Sequence, residues 1–437
     1  MTNHTADEMK VLFVGFGITP YFRDFLNRLQ SQGGIEVTNV RPIGENRNLG
    51  AGVHQDFSGM DFRDIQLPPL VLPARRWLGV SDWESAPQCT SFQGLSKLIM
   101  EDQPDVIVVN VNYHYCMKFD KGVRTALRQA GSRVVFHSIP FQQATLEEAT
   151  AAVTVPKQLP LRSLPGIARR LVTGLQLDRA YLTLIRRRAL LRRVQFQKFV
   201  FNSADMHAVY FEGGVDVYGS WGVPPERIRI VRNSPNTEAL LAAAERHPAV
   251  DSGFRLIHVG RLVEWKRVDL LIRCVATLRR TGFPETELAI VGYGPCEEEL
   301  RSLADELGIA DAVQFRGGVY EPDELAREFA AASIYVLAGM GGLSINEAMC
   351  FALPIICSRC DGTETFLVRE GKNGLYFREG DEESLVQAIR RLLSDPKMRR
   401  RLGEESLRII REELNTQIHV ANYLKMFSDL TGKSLNA

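Results

Sequence analysis

The stretch Leu256-Ile257-His258-Val259-Gly260-Arg261-Leu262-Val263-Glu264-Trp265-Lys266 decides how the rest of the chain is read. Its first residues form an apolar run that ends on Gly260, and a turn then places Arg261 and Lys266 at the mouth of that run. The turn brings both cations toward one anion, and the glycine lets the backbone approach closely. Val268, Leu271, Ile272, Val275 and Leu278 follow at helical spacing. The stretch reads as strand, glycine turn and helix, with a seat suited to a diphosphate at the turn.

The same design stands near the start of the chain. Val11-Leu12-Phe13-Val14-Gly15-Phe16-Gly17 precedes the helical set Phe22, Phe25, Leu26 and Leu29. Further strand candidates alternate with helices: residues 106–110, 133–137 and 198–201 in the first half, then 288–291, 312–315, 334–337 and 354–357 in the second. Such alternation predicts an α/β protein with two doubly wound, Rossmann-like domains facing each other across a cleft. Turn formers at 233–237 and 245–253 mark the linker, which predicts domains at 1–235 and 236–415. Residues 381–430 read as three helices, and 416–437 is predicted to pack back on the first domain. Open parallel sheets bind ligands at the carboxyl ends of their strands, where Gly15, His137, Gly260 and residues 339–342 fall.

With 437 residues and 45% hydrophobic content the chain can bury large cores. A formal net charge of +1 gives no reason to expect nucleic acid as a partner. The polar first residues contain no signal-peptide core and no stretch approaches the ~20 apolar residues of a membrane span, so a cytoplasmic location is expected. Seven scattered cysteines fit reduced thiols, and the lone Cys357-x-x-Cys360 reads as core or turn cysteines rather than a metal site.

About eighty residues after the first turn, Gly341-Gly342-Leu343-Ser344-Ile345-Asn346-Glu347 opens a helix. The unpaired first-turn amides of such a helix, with its dipole, make a phosphate seat. Leu343 and Ser344 are expected to supply those amides. Ser344-x-x-Glu347 is also the spacing of a capping box.

Taken in order and spacing, residues 259–266, then Ile290-Val291-Gly292-Tyr293-Gly294-Pro295, then residues 342–349 and Leu353-Pro354-Ile355 resemble the retaining, nucleotide-sugar-dependent glycosyltransferases of the GT-B architecture, most of all family four, the group 1 glycosyl transferases. The likeness covers residues 200–428 well and the first half loosely. It implies no resident cofactor and a UDP- or GDP-sugar as donor, with a saccharide or lipid-linked saccharide as acceptor, in surface polysaccharide or glycoconjugate synthesis. It also implies that Arg261 and Lys266 bind the donor diphosphate. Fixed cations there stabilise the negative charge that grows on the leaving group as an oxocarbenium-like sugar forms. Gly17, Gly260, Gly292, Val319, Gly339, Gly341, Gly342, Leu343, Ser344 and Glu347 are the expected donor-side positions. Backbone near 315–319 would meet the base, and Glu347 resembles the glutamate that holds the ribose hydroxyls. The resemblance implies attack from the donor's own face without a protein nucleophile. No Asp-x-Asp occurs in the chain, which predicts metal-independent transfer.

Gly339 stands where the family carries the first glutamate of its pair, a residue that helps hold the donor sugar. Backbone amides of the glycine-rich turn are one replacement, and Glu364 is the nearest other carboxylate, with a turn-capping role as its alternative. His137 ends a strand, where the family places a histidine by the donor sugar; a satisfied polar residue is the other reading. Gly15 and Gly17 lack the completing glycine of a nicotinamide fingerprint, so their loop is expected to face the diphosphate or the acceptor. Asn110, Asn112 and His114 are acceptor-side candidates, or a plain polar loop. An epimerase or hydrolase on the same architecture and a non-catalytic sugar-nucleotide-binding subunit are the alternative functions. Between 157 and 198 eleven cations face a single acid, Asp178, among interspersed leucines. That run reads either as a peripheral contact with an anionic membrane or as a solvated basic face.

Overall fold

The computed structural model describes residues 8–44, 55–72, 90–138, 143–154, 191–250 and 253–435. Two all-parallel sheets carry the architecture. The first has the order β3-β2-β1-β6-β7-β8-β9, from β1 (Met9–Val14), β2 (Ile35–Pro42), β3 (Arg63–Leu67), β6 (Val106–Asn110), β7 (Arg133–Ser138), β8 (Met206–Val209) and β9 (Ile228–Ile230). A small antiparallel pair, β4 (Pro69–Val71) and β5 (Thr90–Phe92), stands apart from it. The second sheet has the order β12-β11-β10-β13-β14-β15, from β10 (Arg255–Val259), β11 (Glu287–Val291), β12 (Val313–Gly317), β13 (Ile334–Leu337), β14 (Ile355–Ser358) and β15 (Gly374–Phe377).

Both sheets reverse their winding at the strand that the sequence singled out. β1 is flanked by β2 and β6, with Val11 opposite both Val37 and Val106. β10 is flanked by β11 and β13, with Leu256 opposite Leu288 and Ile334. The loops leaving β10 and β13 therefore emerge side by side at a switch point, where open α/β sheets take their ligands. Helix Pro20–Gln30 buries Phe22, Phe25, Leu26 and Leu29 on the first sheet, and helix Val268–Arg280 buries Val268, Leu271, Ile272, Val275 and Leu278 on the second. Each sheet thus has an apolar core on both faces.

One expected strand is a helix. Residues 191–201 are helical, and the strand taken at 198–201 begins at Met206 instead. Val194, Val200 and Phe201 are buried while Phe199 faces outward under Lys118, a pattern that a four-residue apolar run does not reveal. β2 was not anticipated, because polar Thr38, Asn39 and Arg41 interrupt its apolar residues. These side chains are buried: Asn39 Nδ2 and Arg41 Nε donate to the two carboxylate oxygens of Asp64, at 2.9 and 2.8 Å.

The chain crosses between the domains before helix Thr237–Arg246 and again before helix Thr416–Thr431, and the two crossings are tied together. Thr237 N–H donates to Thr416 Oγ1 and Thr416 N–H to Thr237 Oγ1, both at 3.0 Å, while Thr416 Oγ1 donates to Pro235 O at 2.8 Å. The terminal helix then joins the core of the first domain through Val420, Tyr423, Leu424 and Phe427. Each such burial contributes about 1.5–3 kcal/mol. Phe25 stacks on His419 at 4.4 Å. Across the domain boundary, Phe211 stacks with Phe366 at 6.0 Å, and Arg232 lies 5.2 Å from the Phe366 ring centre. Among the described residues no helix is long and apolar enough to cross a membrane. Of the basic run, residues 157–190 lie outside the described residues; Arg192, Arg193 and Lys198 are exposed.

Candidate functional site

The turn after β10 is locked to the turn after β11. Gly260 has φ +155°, and its N–H donates to Val291 O at 2.9 Å. A Cβ on Gly292 would sit 1.9 Å from Gly260 O, so only glycine permits this approach. The loops stay in register through Leu262 N–H to Tyr293 O at 3.0 Å. Gly292 is thus a packing residue that sets the shape of the Gly260 turn. Its neighbour Tyr293 and the nearby Tyr320 are exposed at the β12 edge, while Val319 packs partly against the core.

On that base a short turn, Glu264–Lys266, returns Lys266 over Gly260. A Cβ placed on Gly260 would lie 3.9 Å from Lys266 Nζ and 3.5 Å from His258 Nε2. Burial first, then the guanidinium of Arg261, lowers Lys266 to about 8; Asp361 and Glu347 act against that shift. Arg261 lies 5.8 Å from the ring centre of the half-exposed Trp265. Lys266 therefore sits where an added anion relieves an existing electrostatic cost.

Beside it begins helix Leu343–Cys350, with Gly342 as its first flanking residue. The amides of Leu343 and Ser344 have no carbonyl behind them in the helix. The capping box does not form. Ser344 lies inside the helix rather than at its cap, its Oγ accepts from Tyr335 O–H at 2.7 Å, and Glu347 makes no hydrogen bond among the described residues. Burial raises the Glu347 carboxyl to about 7, against the pull of Lys266. Arg261, Lys266, Glu347 and the helix start are brought together, as the sequence reading expects. Gly341 leaves room for Leu337, whose Cδ2 would lie 1.7 Å from a Cβ there.

Gly339 has a steric reason. A Cβ at that position would stand 2.2 Å from Trp265 O and 2.8 Å from Lys266 C. The turn that delivers Lys266 fills the place a side chain at 339 would need. Met340 N–H donates to Trp265 O at 2.9 Å, so this amide is engaged within the protein. Glu364 takes the turn-capping role: its Oε1 accepts from Cys360 N–H at 3.0 Å and Gly362 N–H at 3.2 Å. Of the cysteine pair, Cys357 is in the core of β14 and Cys360 in the following turn, its sulfur 2.9 Å from Ser358 Oγ.

The first domain contributes differently from expectation. His137 is the penultimate residue of β7, but its ring is wedged between Phe16 and Tyr210, each 5.1 Å away, and burial lowers it to about 4. It is neutral at neutral pH. His114 is not brought to the cleft: only 1% exposed, it stacks on Phe136 at 4.0 Å and its Nε2 lies 3.3 Å from His137 O. A histidine read as a loop residue is in fact a core residue, because a short turn directs it back under the sheet. Asn110 Oδ1 accepts from Asn112 N–H at 3.2 Å, which closes that same turn. Gly17 is buried in the loop after β1, and its carbonyl accepts from Thr19 N–H at 3.1 Å.

Two residues of the cluster were not anticipated. His258 is fully buried under the Gly260 turn; its Nδ1 lies 3.2 Å from Val336 O and its Nε2 has no partner among the described residues. Burial, then Lys266, lowers it to about 4. Asp361 follows β14 and acts electrostatically on Lys266. Neither stood out in the sequence: His258 lies within a strand buried on both faces, and Asp361 in the turn after β14.

Residues 243–408 match the family described as glycosyl transferases group 1. Among curated proteins, the GDP-mannose-dependent alpha-(1-6)-phosphatidylinositol monomannoside mannosyltransferase of Mycolicibacterium smegmatis is 32% identical over 41% of this chain and 48% of its own length. The D-inositol 3-phosphate glycosyltransferase of Acidothermus cellulolyticus is 34% identical over 43% of this chain and 44% of its own. The chain spans about half the length of the curated relatives it matches. Among solved structures, Anabaena HepE in complex with UDP-glucose covers 97% of this chain and 100% of that one, with a TM-score of 0.60 at 15% identity. Sucrose-phosphate synthase from Thermosynechococcus elongatus covers 98% of this chain and 100% of that one, with a TM-score of 0.64 at 17% identity. At such identity the likeness is one of fold.

Proposed function

We propose that this chain, a GT-B protein whose second domain belongs to the glycosyl transferases group 1 family, moves a sugar from a nucleoside diphosphate sugar to a saccharide or lipid-linked saccharide acceptor. The observation that carries the reading is the convergence of Lys266, Arg261, Glu347 and the start of helix Leu343–Cys350 at the switch point of the second sheet. Lys266 and Arg261 neutralise the charge that develops on the departing diphosphate, and the helix amides receive its oxygens. Glu347, whose ionised form is favoured by the nearby Lys266 ammonium, accepts the ribose hydroxyls. His137, neutral and held between Phe16 and Tyr210, supports the first-domain wall of the cleft. We read the transfer as retaining, with the leaving phosphate oxygen taking the acceptor's proton, and as needing no divalent metal, since the chain contains no Asp-x-Asp.

The relatives' names supply the acceptor classes: a phosphatidylinositol mannoside in one and an inositol phosphate in another. A thermal-shift screen against UDP, GDP and their sugars, followed by transfer assays with and without EDTA, tests the reading. No stabilisation by any of them rejects it. The filled space at Gly339 favours one second reading, a subunit that binds donor without turning it over; that version shows the thermal shift and no product with any acceptor.

A further inference from the structure

The site contains a buried carboxylate oxygen with nothing to accept from. Asp361 is 8% exposed; its Oδ1 accepts from Thr363 N–H at 2.8 Å, and its Oδ2 has no partner among the described residues. The turn that carries it is held from several sides. Glu364 caps the amides of Cys360 and Gly362, and a Cβ on Gly362 would lie 3.0 Å from the Phe211 ring of the first domain. Asp361 therefore stands where the two domains meet.

It follows the strand next to the one that leads to Gly339. Leu337 of β13 pairs with Cys357 of β14, so the two chains leave the sheet side by side, with Gly339 two residues beyond one and Asp361 four beyond the other. Position 339 has no room for a side chain, because the Trp265 carbonyl occupies it. A buried carboxylate oxygen without a donor is unfavourable, and the neighbouring Glu364 carboxyl, its proton affinity raised first by burial and also by Asp361, can meet Asp361 only when it carries a proton. Lys266 supplies countercharge at a distance but makes no hydrogen bond to it among the described residues. A sugar hydroxyl is a neutral donor that can meet Asp361 Oδ2 without taking a proton from solvent.

We propose that Asp361 is the carboxylate that accepts a hydroxyl of the donor's sugar, in the place Gly339 leaves without one, and that it thereby selects which sugar is transferred. The inference rests on the donor reading of the site. The test compares wild type with Asp361→Asn and Asp361→Ala by calorimetric titration of UDP, UDP-glucose, GDP and GDP-mannose. The expected result is a nucleoside diphosphate affinity not weakened, since a negative charge near Lys266 is removed, and a sugar-nucleotide affinity weakened about tenfold, the usual scale for one hydrogen bond to a charged acceptor. Monodeoxy donors on the wild type give the same answer without touching the fold: removal of one particular hydroxyl weakens binding about tenfold, and Asp361→Asn adds nothing to that loss. Equal weakening of diphosphate and sugar nucleotide, or no weakening of either, overturns the assignment while leaving the donor site intact. Failure of every nucleotide to bind wild type instead removes the donor reading, and the inference with it.

Discussion

Replacing Lys266 with methionine, of similar length and without charge, is expected to stabilise the unliganded protein while destroying tight nucleotide binding. Burial and Arg261 bring the ammonium from its ordinary 10.5 to about 8. A depression of that size means that holding the charge costs the fold about 3 kcal/mol, at about 1.4 kcal/mol per pH unit. Lys266 is half-buried rather than sealed, and Glu347 and Asp361 lose their cation in the variant. A net gain of about 1–2 kcal/mol is therefore expected at neutral pH. That corresponds to a rise of about 2–8 °C in the transition of the second domain. The sign with pH follows from the proton count. The unfolded lysine keeps its proton to 10.5 and the folded one only to about 8, so wild-type stability climbs as pH rises from 8 toward 10.5 and the variant lacks that climb. Differential scanning fluorimetry at about pH 7.5 and pH 10, with and without UDP or GDP, reads both effects. A K266M protein that melts below wild type near neutral pH and still gains the full shift from nucleotide would refute the reasoning.

Other perturbations address the remaining parts of the site. Glu347 titrates near 7, so affinity for a sugar nucleotide, whose own phosphates do not titrate there, is expected to fall as pH drops through 7. E347Q should bind about tenfold more weakly at pH 8 and lose the pH step; an unchanged profile by calorimetric titration contradicts the ribose role. Gly339→Glu is expected to lower stability by about 2 kcal/mol or more in urea unfolding without raising turnover, because its Cβ meets Trp265 O. A stable, faster G339E enzyme would show that the turn yields easily. If the basic run at 157–198 docks on membranes, flotation with anionic liposomes recovers the protein, and neutralising Arg186, Arg187 and Arg188 abolishes the recovery; equal flotation with neutral lipid sinks that idea.

The parts of this structure that were legible in the sequence share a physical cause. β1, β6, β7, β10, β11, β13 and β14 are buried on both faces, so they read as short apolar runs ending on glycine or a polar residue. β2 was hidden because the protein buries Asn39, Arg41 and Asp64 as a mutually bonded set, which no local pattern distinguishes from a surface segment. In the candidate site, the proximity of Arg261, Lys266 and Glu347 was expected from spacing and resemblance. The absence of a carboxylate at 339 was readable too, but its reason was not: the Trp265 carbonyl is brought there by tertiary packing. Asp361 and His258 became visible only as buried atoms without partners. His114 went the other way, since a polar residue after a strand looks like a loop side chain until the turn is seen to fold it under Phe136.

A crystal structure of the protein with a bound nucleoside diphosphate sugar tests the central claim most directly. The expected density places the diphosphate over Gly260, within hydrogen-bonding distance of Lys266 Nζ, the Arg261 guanidinium and the amides of Leu343 and Ser344. A diphosphate bound elsewhere, with those four groups turned away from it, would contradict the account.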